Sequence, residues 1–131
     1  MGSKNGPNEG RIKNFKYSGT VTERMVVVWG ANDDTVKPPT AANEVMVGVV
    51  FAFDSDQGTC DVVMEGNTEV VAGAPITVGA YVVINGTAGK VKTAAEAGGA
   101  VNYLCGQTTM TAGADGDIIT MELVRSPYQS A

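Results

Sequence analysis

Three short acidic runs are the places where this chain sets carboxylates side by side: Asp33-Asp34, "DSD" at 54–56 and "DGD" at 115–117. A pair of carboxylates two residues apart is the beginning of a cation site. Calcium, however, takes roughly six to eight oxygens, and an EF-hand loop adds a distal Glu. Each run here supplies two carboxylates and a few carbonyls. The plainer reading is that Asp, Ser and Gly shape tight turns by bonding to their own backbone. On that reading no metal site is expected.

Other chemistry is equally sparse. The chain contains no histidine, the commonest general base and a common metal ligand. No Ser or Cys stands in a nucleophile-elbow setting such as G-x-S-x-G. Cys60 and Cys105 lie within apolar runs, where thiols are inert, and two cysteines are too few for a disulfide framework. Lys90 follows Gly89, but the preceding spacing is not that of a phosphate-binding loop and no helix follows. The expectation is a protein that is not an enzyme and carries no cofactor.

The elements that would position any of these residues are strands. Nineteen Val and five Ile stand against two Leu, with thirteen Thr, in 131 residues. β-Branched side chains suit a pleated surface, whereas helical proteins lean on Leu, Glu, Lys and Ala. Short apolar runs alternate with turn signals: 20–29, 35–37, 44–53, 59–66, 68–72, 75–84, 90–94, 101–110 and 117–124. Gly79 inside the sixth run suggests a bend. Residues 93–98 could make at most one helical turn. The pattern indicates an all-β fold, a small β-barrel or sandwich. No apolar run approaches the length needed to span a bilayer, and no signal peptide is evident.

The two halves repeat. "MVVVWGANDDTVK" (25–37) aligns with "YVVINGTAGKVK" (81–92), Gly30 falling on Gly86 and Lys37 on Lys92. An Ala-rich connector follows in each half. Then "GVVFAFDSDQG" (48–58) matches "GQTTMTAGADG" (106–116), glycine on glycine, both offset by 58 residues. Four elements in one order argue for two similar β units of about 50–58 residues, covering 20–66 and 75–124, too few copies for a solenoid. The expectation is two four-strand units closing around one core. The first glycine of each pair reads as a close-approach position in a strand, the second as a turn position with positive φ. In "EVMVGVVFAF" strict alternation puts Val45, Val47, Val49 and Phe51 on one face, with Met46, Gly48, Val50 and Ala52 on the other. Both faces are apolar, so this strand should be covered on both sides, by the core and by a partner or the arm.

Charge divides the chain differently. Residues 1–16 carry Lys4, Arg11, Lys13 and Lys16 against Glu9, a net +3, while the remaining 115 carry −8. An acidic body repels nucleic acid and anionic membrane, so neither is an expected partner. The first 16 residues have little apolar content and read as a flexible, extended N-terminal arm, with Ile12, Phe15 and Tyr17 as anchors. Residues 17–125 then form the single β domain and 126–131 a C-terminal tail.

The segments "EVVAGAPITVGAYVVINGTAGKVKTAA" (69–95) and "GQTTMTAGADGDIITMEL" (106–123), with "TVKPPTAANEVMVGVV" upstream, resemble the capsid decoration (cement) proteins of tailed bacteriophages. The likeness spans roughly residues 19–124 and rests on Gly/Ala/Val patterning and turns. It implies a virion protein, made in the host cytoplasm, that sits on the outer surface of an assembled head. The implied partners are the major capsid protein and two further copies in a homotrimer, with the arm bridging capsid subunits. The family offers no catalytic residues to carry over. The residues expected at a capsid or oligomer interface are Arg11, Ile12, Lys13, Phe15, Tyr17, Trp29 and Val50. For Trp29, which ends an apolar strand beside a turn, the first reading is a lid over the core and the second an interface anchor. The alternative functions are another β-rich virion component, such as a tail or head-fibre base, or a β-sandwich module that binds carbohydrate or a cell surface, for which Trp29 and Tyr103 are the support.

Overall fold

The structure, a computed structural model, describes residues 11–95, 99 and 101–125, together with the backbone of 127–129. Five strands form the first unit: β1 (Ile12–Tyr17), β2 (Val26–Trp29), β3 (Thr35–Lys37), β4 (Gly48–Asp54) and β5 (Thr59–Val63). They close into a barrel in the order β1-β3-β2-β4-β5. Closure comes from β1, which runs antiparallel to β5, Phe15 opposite Cys60, and parallel to β3, Tyr17 opposite Val36. A closed barrel leaves no unpaired edge.

The second unit comprises β6 (Asn67–Val71), β7 (Tyr81–Ile84), β8 (Val91–Thr93), β10 (Gly106–Thr108) and β11 (Ile118–Leu123). Its sheet order is β6-β11-β10-β7-β8, and a parallel bridge from Ala72 to Val91 joins its two outer strands. Strand for strand, this is the circuit of the first unit. Single hydrogen bonds recur as well, and they set Gly30 on Asn85, one residue short of the Gly86 that the sequence alignment gave: Gly30 N donates to Thr35 O, as Asn85 N does to Lys90 O. Val47 N donates to Val27 O, as Cys105 N does to Val82 O; Ser18 N donates to Val36 O, as Gly73 N does to Val91 O. A two-stranded sheet of β9 (Val101–Tyr103) and β12 (Pro127–Gln129) completes the chain. Among the described residues there is no helix, and none long and apolar enough to cross a membrane. The all-β barrel fold expected from composition is therefore present; residues 96–98, part of the segment read as one helical turn, lie outside the described residues.

The repeat is larger than its sequence trace, with five strands per unit rather than four, because β1 and β6 belong to it. Of the flexible arm expected over 1–16, residues 12–16 are instead part of strand β1. Alternation in "IKNFKY" points Phe15 into the barrel, 2% exposed, and main-chain pairing on both sides offsets the ordering cost of a polar strand. Residues 1–10 lie outside the described residues. Residues 127–129, expected within a C-terminal tail, pair as β12 with β9.

Nor is there a single core. The interior of the first barrel gathers Phe15, Val27, Val36, Val47, Val50, Cys60 and Val62. A second cluster joins Val26, Val28, Met46 and Val49 of the first unit to Val70, Val82, Ile84, Val91, Ile119 and Met121 of the second. The strands β2 and β4 thus send alternate side chains into two cores. Over Gly48–Val50 both faces of β4 are covered, by the rest of the same chain; from Phe51 onward the strand is largely exposed, contrary to the coverage its apolar run led one to expect. Each fully buried Val contributes about 1.5–3 kcal/mol. Arg125 ties the units together further: its Nη2 donates to Val47 O at 2.8 Å and to Met64 O at 2.7 Å.

The paired glycines hold the conformations their spacing implies. A Cβ on Gly48 would strike Val63 O and lie 2.5 Å from Val62 Cγ1; one on Gly106 would lie 2.6 Å from Glu122 O. Gly58 and Gly116 have φ of +69° and +97° with open space around them. Gly48→Ala and Gly106→Ala are each expected to cost about 1–3 kcal/mol through overpacking. Gly58→Ala is expected to cost about 1 kcal/mol, through backbone strain alone. Urea unfolding of the three variants checks the order.

Candidate interaction surface

The exposed aromatic residues of the first barrel arise from its register. Trp29 pairs with Val36 across β2 and β3, and Val36 pairs with Tyr17 across β3 and β1, so Trp29 and Tyr17 flank one row at one end of the barrel. Phe15 sits beneath, its ring 5.5 Å from that of Trp29 and nearly perpendicular to it. Tyr17 makes the same edge contact with Phe53 of β4 at 6.5 Å. Such pairs are worth about 0.5–1.5 kcal/mol beyond their burial. Trp29 nonetheless remains 52% exposed and Phe53 41%.

Two of the acidic turns frame this end. Lys16 N donates to Asp34 O, and Tyr17 N to Gly58 O, so the turns at 30–34 and 54–58 both lie against the end of β1. Lys13 Nζ stands 5.3 Å over the Phe15 ring and 3.9 Å from Asp34 Oδ1. That ion pair is exposed and contributes little to stability. Turn chemistry accounts for the carboxylates. Asp54 Oδ1 accepts from the amides of Asp56 at 3.0 Å and Gln57 at 3.3 Å. Asp117 Oδ2 accepts from Gly113 and Ala114, and Asp115 pairs with Lys90 at 2.9 Å.

Of the residues expected at an interface, Lys13, Phe15, Tyr17 and Trp29 come together here. Phe15 is core, however, and supports Trp29 from below. Arg11 and Ile12 lie toward the opposite end of β1, Ile12 half-exposed opposite Val63 and Arg11 O accepting from Met64 N. Val50 is 1% exposed and belongs to the barrel interior, so it is no surface residue. Val50 faces the barrel interior with Val47, while Val49 and Met46 face the second unit, so alternation first breaks at Gly48 and the second unit takes the place expected of a partner. Farther on, Val50 pairs with Val62 and Ala52 with Asp61, leaving Phe51 as the extra residue of a bulge. The register slips again here, and Phe51 is 48% exposed. Phe53 belongs to the aromatic end and went unnoticed in the sequence; an aromatic pair closing an apolar strand next to an acidic turn was its signal.

The thiols are shut away. Burial pushes Cys60 up to about 11, with the neighbouring Asp61 charge adding to it, and burial pushes Cys105 up to about 12. Glu44 shows the opposite balance: burial resists its ionisation, but amide bonds from Thr40 and Ala41 and the Thr40 hydroxyl outweigh it and hold the carboxyl below its ordinary range.

The fold defined here, two like five-strand circuits in tandem with shared double-faced strands, has a counterpart among solved structures. The N-terminal base of the head fibre protein gp8.5 of bacteriophage phi29 superposes with a TM-score of 0.64 at 18% identity, over 92% of this chain and 98% of that one. At that identity the likeness is one of fold. No protein-family model matches the chain. No curated protein matches it either.

Two outcomes test the surface. Trp29→Ala is expected to cost no more than about 1.5 kcal/mol, against about 3–5 kcal/mol for Phe15→Ala, with iodide quenching Trp29 fluorescence in the native protein. For the thiols, whose folded-state pKa values lie above the ordinary 9.0, the protonated form is favoured by folding; stability is therefore full below pH 9 and falls as pH rises through 11 to 12. At pH 8 neither cysteine should react with iodoacetamide until the protein is unfolded, as mass spectrometry would show.

Proposed function

We propose that this chain is a structural component of a phage head, seated on the shell in the manner of a fibre base. The observation that carries this is the likeness to the phi29 head fibre base over nearly the whole of both chains. That likeness favours the fibre-base role over the cementing role implied by the decoration-protein resemblance. The aromatic end of the first barrel suits attachment, since exposed Trp beside polar turns is the composition of an interface anchor. The acidic body would meet basic surface on the capsid protein. In this reading the partners are the major capsid protein and further copies of the chain as a homotrimer, on the outside of the particle.

The test is co-sedimentation of the purified protein with heads stripped of their outer proteins, followed by heating of the decorated particles. Stoichiometric binding with unchanged heat resistance supports a fibre base. Binding that raises the temperature of DNA release restores the cementing role. Absence of binding to any head rejects both.

A further inference from the structure

Phe51, the extra residue of the β4 bulge, borders a cleft of 430 Å³ between β4 of the first unit and β6 and β11 of the second. Its walls include Phe51, Glu23, Arg24, Asn67, Glu69 and Thr120. The volume lies within the span of small-molecule sites. One exposed ring faces a set of hydrogen-bonding groups contributed by both units.

Arg24 is the informative residue. Its φ is +69°, a left-handed conformation that side chains rarely adopt. The repeat shows what this position asks for. Arg24 N donates to Val50 O, as Gly79 N donates to Thr108 O in the second unit, and Gly79 has φ of +86°. The backbone geometry is the same, and the second unit meets it with glycine. The first unit holds a long cationic side chain there instead. Its Nε donates to Glu69 Oε1 at 2.8 Å, and Nη1 lies 3.9 Å from Glu23 Oε1. A bulge and a strained non-glycine residue thus converge on one cleft, and both devices are typical of functional sites.

The chemistry of the cleft selects its ligand. Arg24 is bonded to Glu69 and lies 3.9 Å from Glu23, so both carboxylates are already engaged and one excess negative charge is spread over two exposed groups. A cationic side chain would meet the Arg24 guanidinium, and an anion would meet two carboxylates. A neutral polyhydroxylated ring meets neither obstacle. Its C–H face can lie on the Phe51 ring, while its hydroxyls donate to Glu23 and Glu69 and accept from Arg24 and Asn67. We propose that the inter-unit cleft at Phe51 and Arg24 is a binding site for a neutral sugar residue of a glycan. This inference does not depend on where the protein sits in a particle.

The experiment is an NMR titration of the isotopically labelled chain with the methyl glycosides of glucose, galactose, mannose and N-acetylglucosamine, with N-acetyl-argininamide as the comparison. Saturable shifts at Arg24, Phe51, Glu69 and Thr120 with at least one glycoside, on the order of millimolar affinity, are expected. Phe51→Ala should abolish them and Phe51→Trp should retain them. Arg24→Gly should abolish them while leaving the unfolding midpoint equal or higher, because the left-handed strain is relieved; that result separates a ligand role from a structural one. No shift with any glycoside, shifts confined to other residues, or tighter binding of N-acetyl-argininamide would overturn the proposal. So would unaltered glycoside binding by the Arg24→Gly protein.

Discussion

The structure depends on strands that are apolar on both faces. In β2, Val27 points into the first barrel while Val26 and Val28 point out, and all three are buried. In β4 the same division separates Val50 from Val49. A barrel of five short strands would leave its outward valines in water, and a unit of that size buries too little by itself to be stable. Setting the second unit against that outer face removes the exposure and supplies the missing core in one contact. The two units are therefore parts of one folded body rather than modules on a string. Arg125, reaching back to the Val47 and Met64 carbonyls, closes the join from the far end of the chain.

Duplication explains the conserved geometry, and the departures from it show where the units part ways. Gly48 and Gly106 hold corresponding close approaches, and Gly58 and Gly116 corresponding turns. Where the first unit has Tyr17 and Trp29 at a barrel end, the strand equivalents of the second are the buried Ala72 and Ile84. Bulky exposed rings have been kept on one unit and are absent from the matching positions of the other. Arg24 against Gly79 is the same contrast at a single backbone position. A residue that strains the chain where its counterpart does not is best understood through what its side chain reaches.

The sequence made much of this legible. All-β class followed from β-branched composition, the repeat from spaced glycines, and double coverage of residues 46–50 from an apolar run whose two ends are nonetheless exposed. The acidic turns were readable because Asp bonds to amides two or three residues on, which is local chemistry. What failed was whatever needed a distant partner. β1 looked like an arm because its alternation is weak, and only pairing with β3 and β5 makes it a strand. Val50 looked like interface because the strand is apolar on both faces, and only the packing shows that the second unit of the same chain covers one face while Val50 fills the barrel.

The sequence by itself determined the fold class, the two-fold reuse of a strand–turn pattern, and the glycines that the pattern cannot do without. These depend on short-range sterics and on side-chain period, which act within a few residues. The tertiary structure alone decided that the chain closes a barrel with its first strand, that two cores share β2 and β4, and that Phe51, Arg24 and Glu69 face one cleft. Those outcomes hang on register and packing between segments that the chain alone does not bring together, the Arg24–Glu69 contact spanning 45 residues. A shift of one residue in that register reverses which side chain meets solvent.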